Sequence, residues 1–423
     1  MWTSLRPRPL SRLISVRRLS LTFAGLLFAA FVLYTRNASL AGHAENKQYE
    51  LLSQVFENIL TGGEAQGGKW YIPPSWTSNL THLPKTINPN PTTILDAVRL
   101  ASDLSTLNKN RQIPNTNIPL IVHQTYKTTN VQKWSNNVIE CVSGWVAMAI
   151  DWHSRTHHRT GASAEAAYFM WNDKGMEEAV NYIWPDSYPL YQSLPVPVLK
   201  ADTFRVFTVH SFGGIYADAD TRPLRHPASW VGLSDLTPWM DEKTGKTFTP
   251  AREVGLIVGV ECDTPEGGDQ FWRMGYAHSV ELTNWAFAGR KGHPALKDML
   301  ESVAGKGDAW DPLEVTGPYR LTDVIAEYVR KIDGDVRWAA FSGLHDGGRS
   351  KAVGDVLVLP ITGFSPGRSS GYGNMGSKPT THHDARLVHM ASGSWKHFDL
   401  AVELRKLCRT VFAMCKADIN VRE

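Results

Sequence analysis

The chain has 423 residues, 42% of them hydrophobic, 10% aromatic and 20% charged, a globular composition that excludes a disordered or collagen-like protein. Its formal net charge of +3 is exceeded by the six arginines of residues 1–44, a stretch without one acid. The remainder is therefore mildly acidic and carries no nucleic-acid footprint.

Five of those arginines precede 19–34, LSLTFAGLLFAAFVLY, an uncharged apolar run. As a helix it spans roughly 24 Å, short for a ~30 Å bilayer core and suited to a thinner membrane. The leading arginines place a tail of residues 1–18 in the cytoplasm and the rest of the chain in a lumen or outside the cell. A cleaved signal peptide ending near Ser39-Leu40-Ala41 is the alternative. Either reading sends the body into the secretory pathway, and the sequons at Asn37 and Asn79 agree with it. Residues 35–112 mix one helical pattern, near 49–60, with Gly, Pro, Asn and Thr, and read as a luminal stem.

The body is expected at 113–400, with a helical tail at 401–423. IPLIVHQT (118–125) and AYFMWND (167–173) are apolar runs ending in polar residues, the pattern of strands that point at a ligand. Residues 199–212 have helical spacing and stop at Gly213-Gly214. A brief strand, 215–217, then delivers Asp218. VGLIVGV (254–260) and VLVL (356–359) are further buried strands. The alternation predicts an α/β fold with a mostly parallel sheet. Cys141, Cys262, Cys408 and Cys415 allow two disulfides in three pairings, or free buried thiols.

Asp218 and Asp220 share one face of an extended segment, and two carboxylates so placed repel unless a divalent cation or a raised pKa relieves them. Oxygen ligands of this kind suit Mn²⁺ or Mg²⁺, which bridges carboxylate to phosphate oxygens. The spacing alone is common. Asp218-Ala219-Asp220-Thr221 also approximates the nucleophile loop of haloacid-dehalogenase-like phosphatases, with its threonine one residue early. A non-catalytic scaffold is the remaining alternative.

ADTFR (201–205) followed by GGIYADAD (213–220) resembles glycosyltransferase family 32, of the fungal initiation-specific α-1,6-mannosyltransferase type. IPLIVHQTYK (118–127), FMWND (169–173), GVECD (259–263), RKGHPAL (290–296), VTGPYRLTD (315–323), ITGFSPG (361–367) and HMASGSWK (389–396) resemble further blocks of that family in the same order. The resemblance implies a GT-A-type nucleotide-diphospho-sugar transferase fold and retaining, metal-dependent mannose transfer from GDP-mannose to a glycoprotein glycan. It implies a Golgi enzyme with one membrane helix, with or without a mannosyltransferase complex. An inositol-phosphoceramide acceptor is the alternative within the family.

Carried over by residue, Asp218 and Asp220 serve the metal, with His389 as third ligand. Asp202 and Arg205 contact the transferred sugar or its phosphate. His123, Gln124, Tyr126, His389 and Lys396 join them in donor binding, Tyr126 beneath the base. Glu261, Asp323 and Trp395 are acceptor candidates, and Trp285 offers an aromatic face. The stretch between Trp145 and Tyr168 is longer than the family's link and holds His153, His157 and His158, which puts the docking of the following strand in doubt.

Overall fold

The computed structural model describes residues 50, 52–78, 88–150, 165–304, 311–368, 374–390, 400–416 and 421. The apolar run at 19–34, Asn37, Asn79, the three histidines of the long link, Trp395 and Lys396 lie outside the described residues. Among the described residues no helix is long and apolar enough to cross a membrane. The chain divides into Met1–Ser53 and Gln54–Glu423, and the second unit holds the sheet and the site.

The strands are β1 (Thr61–Gly63), β2 (Gly68–Tyr71), β3 (Ile121–Thr125), β4 (Ala167–Trp171), β5 (Gly214–Ala217), β6 (Thr221–Pro223), β7 (Trp239–Met240), β8 (Thr247–Phe248), β9 (Leu256–Asp263), β10 (Val280–Leu282), β11 (Ala286–Gly289), β12 (Lys351–Val353), β13 (Val356–Leu359) and β14 (Leu387–His389). The main sheet runs β1-β2-β4-β3-β5-β11-β9-β13-β12, with β10 beside β9. The β3–β4, β3–β5 and β9–β13 pairings are parallel. The β1–β2, β2–β4, β5–β11, β9–β11 and β12–β13 pairings are antiparallel. The sheet is mixed, as expected for this fold, but the expectation that it is mostly parallel is corrected, since antiparallel pairings outnumber parallel ones. Central strands β4 and β5 are buried at every position, as continuous apolar runs covered on both faces must be.

The stem reading is corrected for its described part. β2 pairs with β4, Gly68 opposite Trp171, and helix α1 (Ile94–Thr106) buries Ile94, Val98, Leu100 and Leu104. Thr93 caps that helix by accepting from the Asp96 amide at 3.2 Å, one of the orphan donors every helix start leaves. The strand after the long link docks in register, Val122 opposite Tyr168.

Further helices are α2 (Asn136–Ala149), α3 (Asp173–Ile183), α4 (Pro197–Phe212), α5 (Pro294–Ala304), α6 (Pro318–Ile332) and α7 (Leu400–Phe412). Proline at the first position of α4 suits a site whose N–H has no helical partner. The helix packs Phe204 and Phe212 on Trp171, ring centroids 5.2 and 6.2 Å apart. It ends at Gly213 (φ 73°), followed by Gly214 (φ 113°). A Cβ on Gly214 would stand 2.5 Å from the Ile121 carbonyl oxygen, so only glycine lets β5 enter beside β3. Cys408 and Cys415 form a disulfide, while Cys141 and Cys262 are free and buried.

His123 is fully buried between β4 and the glycine turn. Its Nε2 lies 2.9 Å from the Gly213 carbonyl oxygen, and Nδ1 accepts from Trp171 Nε1 at 3.5 Å. Burial, against the Gly213 hydrogen bond, lowers its pKa to about 4. In the unfolded chain the imidazole takes a proton below about pH 6.5, but in the folded chain only near 4. Stability is therefore lost as pH falls through that window, by about 3 kcal/mol from this group. Urea midpoints at pH 7, 5 and 4 should show this loss in the wild type and not in His123→Gln. An equal pH slope in the two proteins counts against it.

Candidate active site

α4 and β5 build the centre of the site from one continuous stretch. Asp202 and Arg205, three apart on α4, pair at 2.7 Å and are 4% and 6% exposed. The same guanidinium reaches Asp218 at 3.3 Å, donates to the Asn284 carbonyl at 2.9 Å, and lies 5.2 Å over the Tyr216 ring. Thr316 donates to the other oxygen of Asp202 at 3.1 Å. Tyr216 donates to Asp218 Oδ1 at 2.7 Å and is itself 3.0 Å from the Thr125 hydroxyl. The Asp218 carbonyl accepts from Gln124 Nε2 at 3.1 Å and from the Thr221 hydroxyl at 2.6 Å. These bonds fix the turn that carries both aspartates.

The third member arrives from far along the chain. β14 pairs with β6, His389 opposite Thr221, and Met390 N–H donates to the Asp220 carbonyl at 2.9 Å. His389 Nε2 stands 3.2 Å from Asp220 Oδ1, and its ring stacks on Trp285 at 4.6 Å. One ligand atom from each of Asp218, Asp220 and His389 lies within 4.8 Å of the other two. Burial raises the Asp218 pKa, opposed by Arg205, and Asp220 adds to the rise. Burial works against a charge on His389, but its hydrogen bond to Asp220 and the charges of Asp220, Asp218 and Glu261 raise its pKa on balance. The charge of Asp220 thus acts on both Asp218 and His389, and such a local excess of negative charge is what a cation relieves. Two carboxylates and an imidazole are also a donor set that Mn²⁺ accepts, so these residues fit a divalent ion. Asp202 is pushed up to about 6 by burial, in spite of Arg205.

These groups line a cavity of about 670 Å³, within the range of a small-ligand site. Tyr126 is in its wall, edge-on to Trp134 at 5.5 Å. Glu261 lines it too, bound by Arg368 at 2.7 Å. Trp285 lines it, and so does Asp173, the first residue of α3. Three expected ligand contacts are corrected. His123 is outside the cavity wall, enclosed by β4 and the Gly213 turn. Gln124 is also outside it, fully buried, its amide spent on Tyr168 and the Asp218 carbonyl. Asp323 does not line it either, but lies 2.9 Å from His278 Nε2.

Sequence reasoning missed Tyr216, Asn284, Tyr276, Arg368 and Glu281. Tyr216 sits inside the GGIYADAD stretch itself, where strand alternation places it on the same face as Asp218. Glu281 has no such signal. It is buried on the three-residue strand β10, and burial raises its pKa.

Residues 151–242 match the family described as glycosyltransferase sugar-binding region containing DXD motif. The chain is similar to the initiation-specific alpha-1,6-mannosyltransferase of Candida albicans, 32% identical over 241 residues, covering 50% of this chain and 57% of that one. It is 35% identical over 219 residues to the protein of the same name from Schizosaccharomyces pombe, covering 49% of each. It is 31% identical over 121 residues to inositol phosphoceramide mannosyltransferase 3 of that yeast, covering 27% of this chain and 29% of the relative. The chain thus spans about half the length of the first two relatives.

Proposed function

We propose that this chain, which carries the DXD-containing glycosyltransferase region, transfers mannose from GDP-mannose to a mannose-terminated glycan. The observation that carries the reading is the meeting of Asp218, Asp220 and His389 in the wall of one cavity beside the Asp202–Arg205 pair. The two relatives named as initiation-specific mannosyltransferases support an α-1,6 linkage on a glycoprotein. The basic tail and apolar run at the N-terminus support a Golgi membrane protein with a luminal body.

Asp218, Asp220 and His389 would hold the divalent ion, Mn²⁺ or Mg²⁺. Bound there, it supplies Lewis-acid stabilisation of the leaving diphosphate. Arg205 is locked by three partners, so its charge is positioned before substrate arrives. Asp202, with Arg205, orients the transferred mannose. Tyr126 offers a ring in the cavity wall to the guanine. An α-linked product from an α-linked donor retains configuration. In the front-face route we favour, the acceptor hydroxyl approaches on the side the diphosphate leaves, and a phosphate oxygen takes its proton.

The test uses the full chain with GDP-mannose and α-mannobiose, with Mn²⁺ or with a chelator, reading GDP release and product linkage. Metal-dependent release with an α-1,6 product is expected. Release from another nucleotide sugar only, or none with any metal, overturns the donor assignment. Transfer to inositol phosphoceramide instead of the glycan overturns the acceptor.

A further inference from the structure

We propose that Glu281 is a sugar-binding residue whose unpaired carboxylate oxygen accepts a hydrogen bond from a sugar hydroxyl in the catalytic cavity. The inference rests on the reading of that cavity as a nucleotide-sugar and glycan site.

Glu281 is fully buried and lines the cavity. It stands on β10, antiparallel to β9 and opposite Cys262, next to Glu261. The register slips between Glu281 and Leu282, and such bulges re-aim side chains beside active sites. One oxygen, Oε2, accepts from the Ala277 and His278 amides at 2.7 and 3.2 Å, with His278 Nδ1 at 3.5 Å. The other, Oε1, is buried and has no partner. A buried carboxylate oxygen without a donor is costly and uncommon in a native fold. Holding the 277–278 turn needs only the first oxygen, so structure alone does not explain the second.

The surroundings select the ligand. The Tyr276 hydroxyl and Glu261 are both taken by Arg368, and the Tyr319 hydroxyl by the Gly275 carbonyl. Trp285 Nε1, in the same wall, is buried and unpartnered like Glu281 Oε1. An unmatched acceptor and an unmatched donor in one cavity suit a ligand whose hydroxyls both give and take hydrogen bonds. The neighbouring Glu261 disfavours a phosphate at this position. Among the described residues Glu281 belongs to no cluster able to hold a metal. A neutral polyol is the chemistry that remains.

Glu281→Gln tests this without disturbing the turn, because the amide oxygen still accepts from Ala277 and His278 while an NH₂ replaces the free acceptor. The full chain is titrated in Mn²⁺ with GDP, with GDP-mannose, and with α-mannobiose in the presence of GDP. GDP affinity should be equal in wild type and variant. The variant should lose about tenfold in affinity for one sugar. Loss for mannobiose assigns Glu281 to the acceptor. Loss for GDP-mannose but not GDP assigns it to the donor sugar. A deoxymannobiose series on the wild type gives an independent reading, since the analogue lacking the bonded hydroxyl should bind wild type and variant alike. Equal affinities throughout, or a wild type that binds neither sugar, overturn the inference. A wild type that binds mannobiose through Glu281 yet releases no GDP from GDP-mannose leaves this inference standing and overturns the transfer reading.

Discussion

On the proposed function, Asp220→Ala should lower metal-dependent GDP release by about a thousandfold, roughly 4 kcal/mol of transition-state stabilisation, and should leave the protein at least as stable as before. The two halves of this result have one cause. Asp220 adds negative charge beside Asp218 and raises its pKa, so the metal-free fold carries repulsion that the substitution removes. The partly exposed carboxylate lies 3.2 Å from His389, and the backbone bond from Met390 to the Asp220 carbonyl survives in alanine. With a chelator present, the melting temperature of Asp220→Ala should equal or exceed that of the wild type. With Mn²⁺ added, the wild type alone should rise, since a ligand that binds only the folded state stabilises it. Calorimetry with and without Mn²⁺ decides the matter. A large drop in melting temperature without metal would make Asp220 a structural residue.

Arg205→Ala is the reverse case, with stability and activity lost together. The guanidinium is the counter-charge for two acids, buried Asp202 at 2.7 Å and half-buried Asp218 at 3.3 Å. Removing one partner of a buried pair leaves uncompensated charge, at a cost of about 3–5 kcal/mol. Arg205→Lys recovers only part of this. One ammonium cannot span Asp202, Asp218 and the Asn284 carbonyl together, nor present a flat face to Tyr216. Asp202→Leu combined with Arg205→Met should regain the Asp202 share of the lost stability, because an apolar pair of similar volume replaces a buried ion pair at little cost, while Asp218 still lacks its counter-charge. It should regain no transfer activity. Urea midpoints across the wild type and the three variants, with GDP release beside them, separate the structural share of Arg205 from its share in the site. A single Arg205→Ala variant of wild-type stability would refute the argument.

The sequence made some of this architecture readable and hid the rest for identifiable reasons. Asp202, Arg205 and Asp218 could be found because α4, the glycine turn and β5 follow one another, so contiguity stood in for geometry. His389 had no spacing signal. It reaches Asp220 only through the β6–β14 ladder, and the resemblance of HMASGSWK supplied the one hint. His123 and Gln124 end an apolar strand, the usual place for ligand contacts, yet both are fully enclosed and spend their polar atoms on the Gly213 and Asp218 carbonyls. TGGEAQGGKWY lies in the stretch rich in Gly, Pro, Asn and Thr whose composition reads as stem. Its glycines instead serve a sheet edge, where Gly62, Gly67 and Gly68 adopt positive φ and a Cβ on Gly68 would stand 2.2 Å from the Met170 carbonyl oxygen. Glu281 hides on a strand too short to show a period.

The β6–β14 pairing also sets a timetable. Every strand of the main sheet, β12 and β13 included, precedes β14 in the chain, and a ribosome releases N-terminal segments first. Asp218, Asp220 and their supporting arginine are therefore made and can be placed while His389 is still unsynthesised. A nascent chain can own the strands of the main sheet and still lack His389, the third member of the candidate cluster. On the proposed function, metal capture through all three residues waits until β14 has been made, and any chain cut short before Leu387 should emerge with its sheet but without the third ligand.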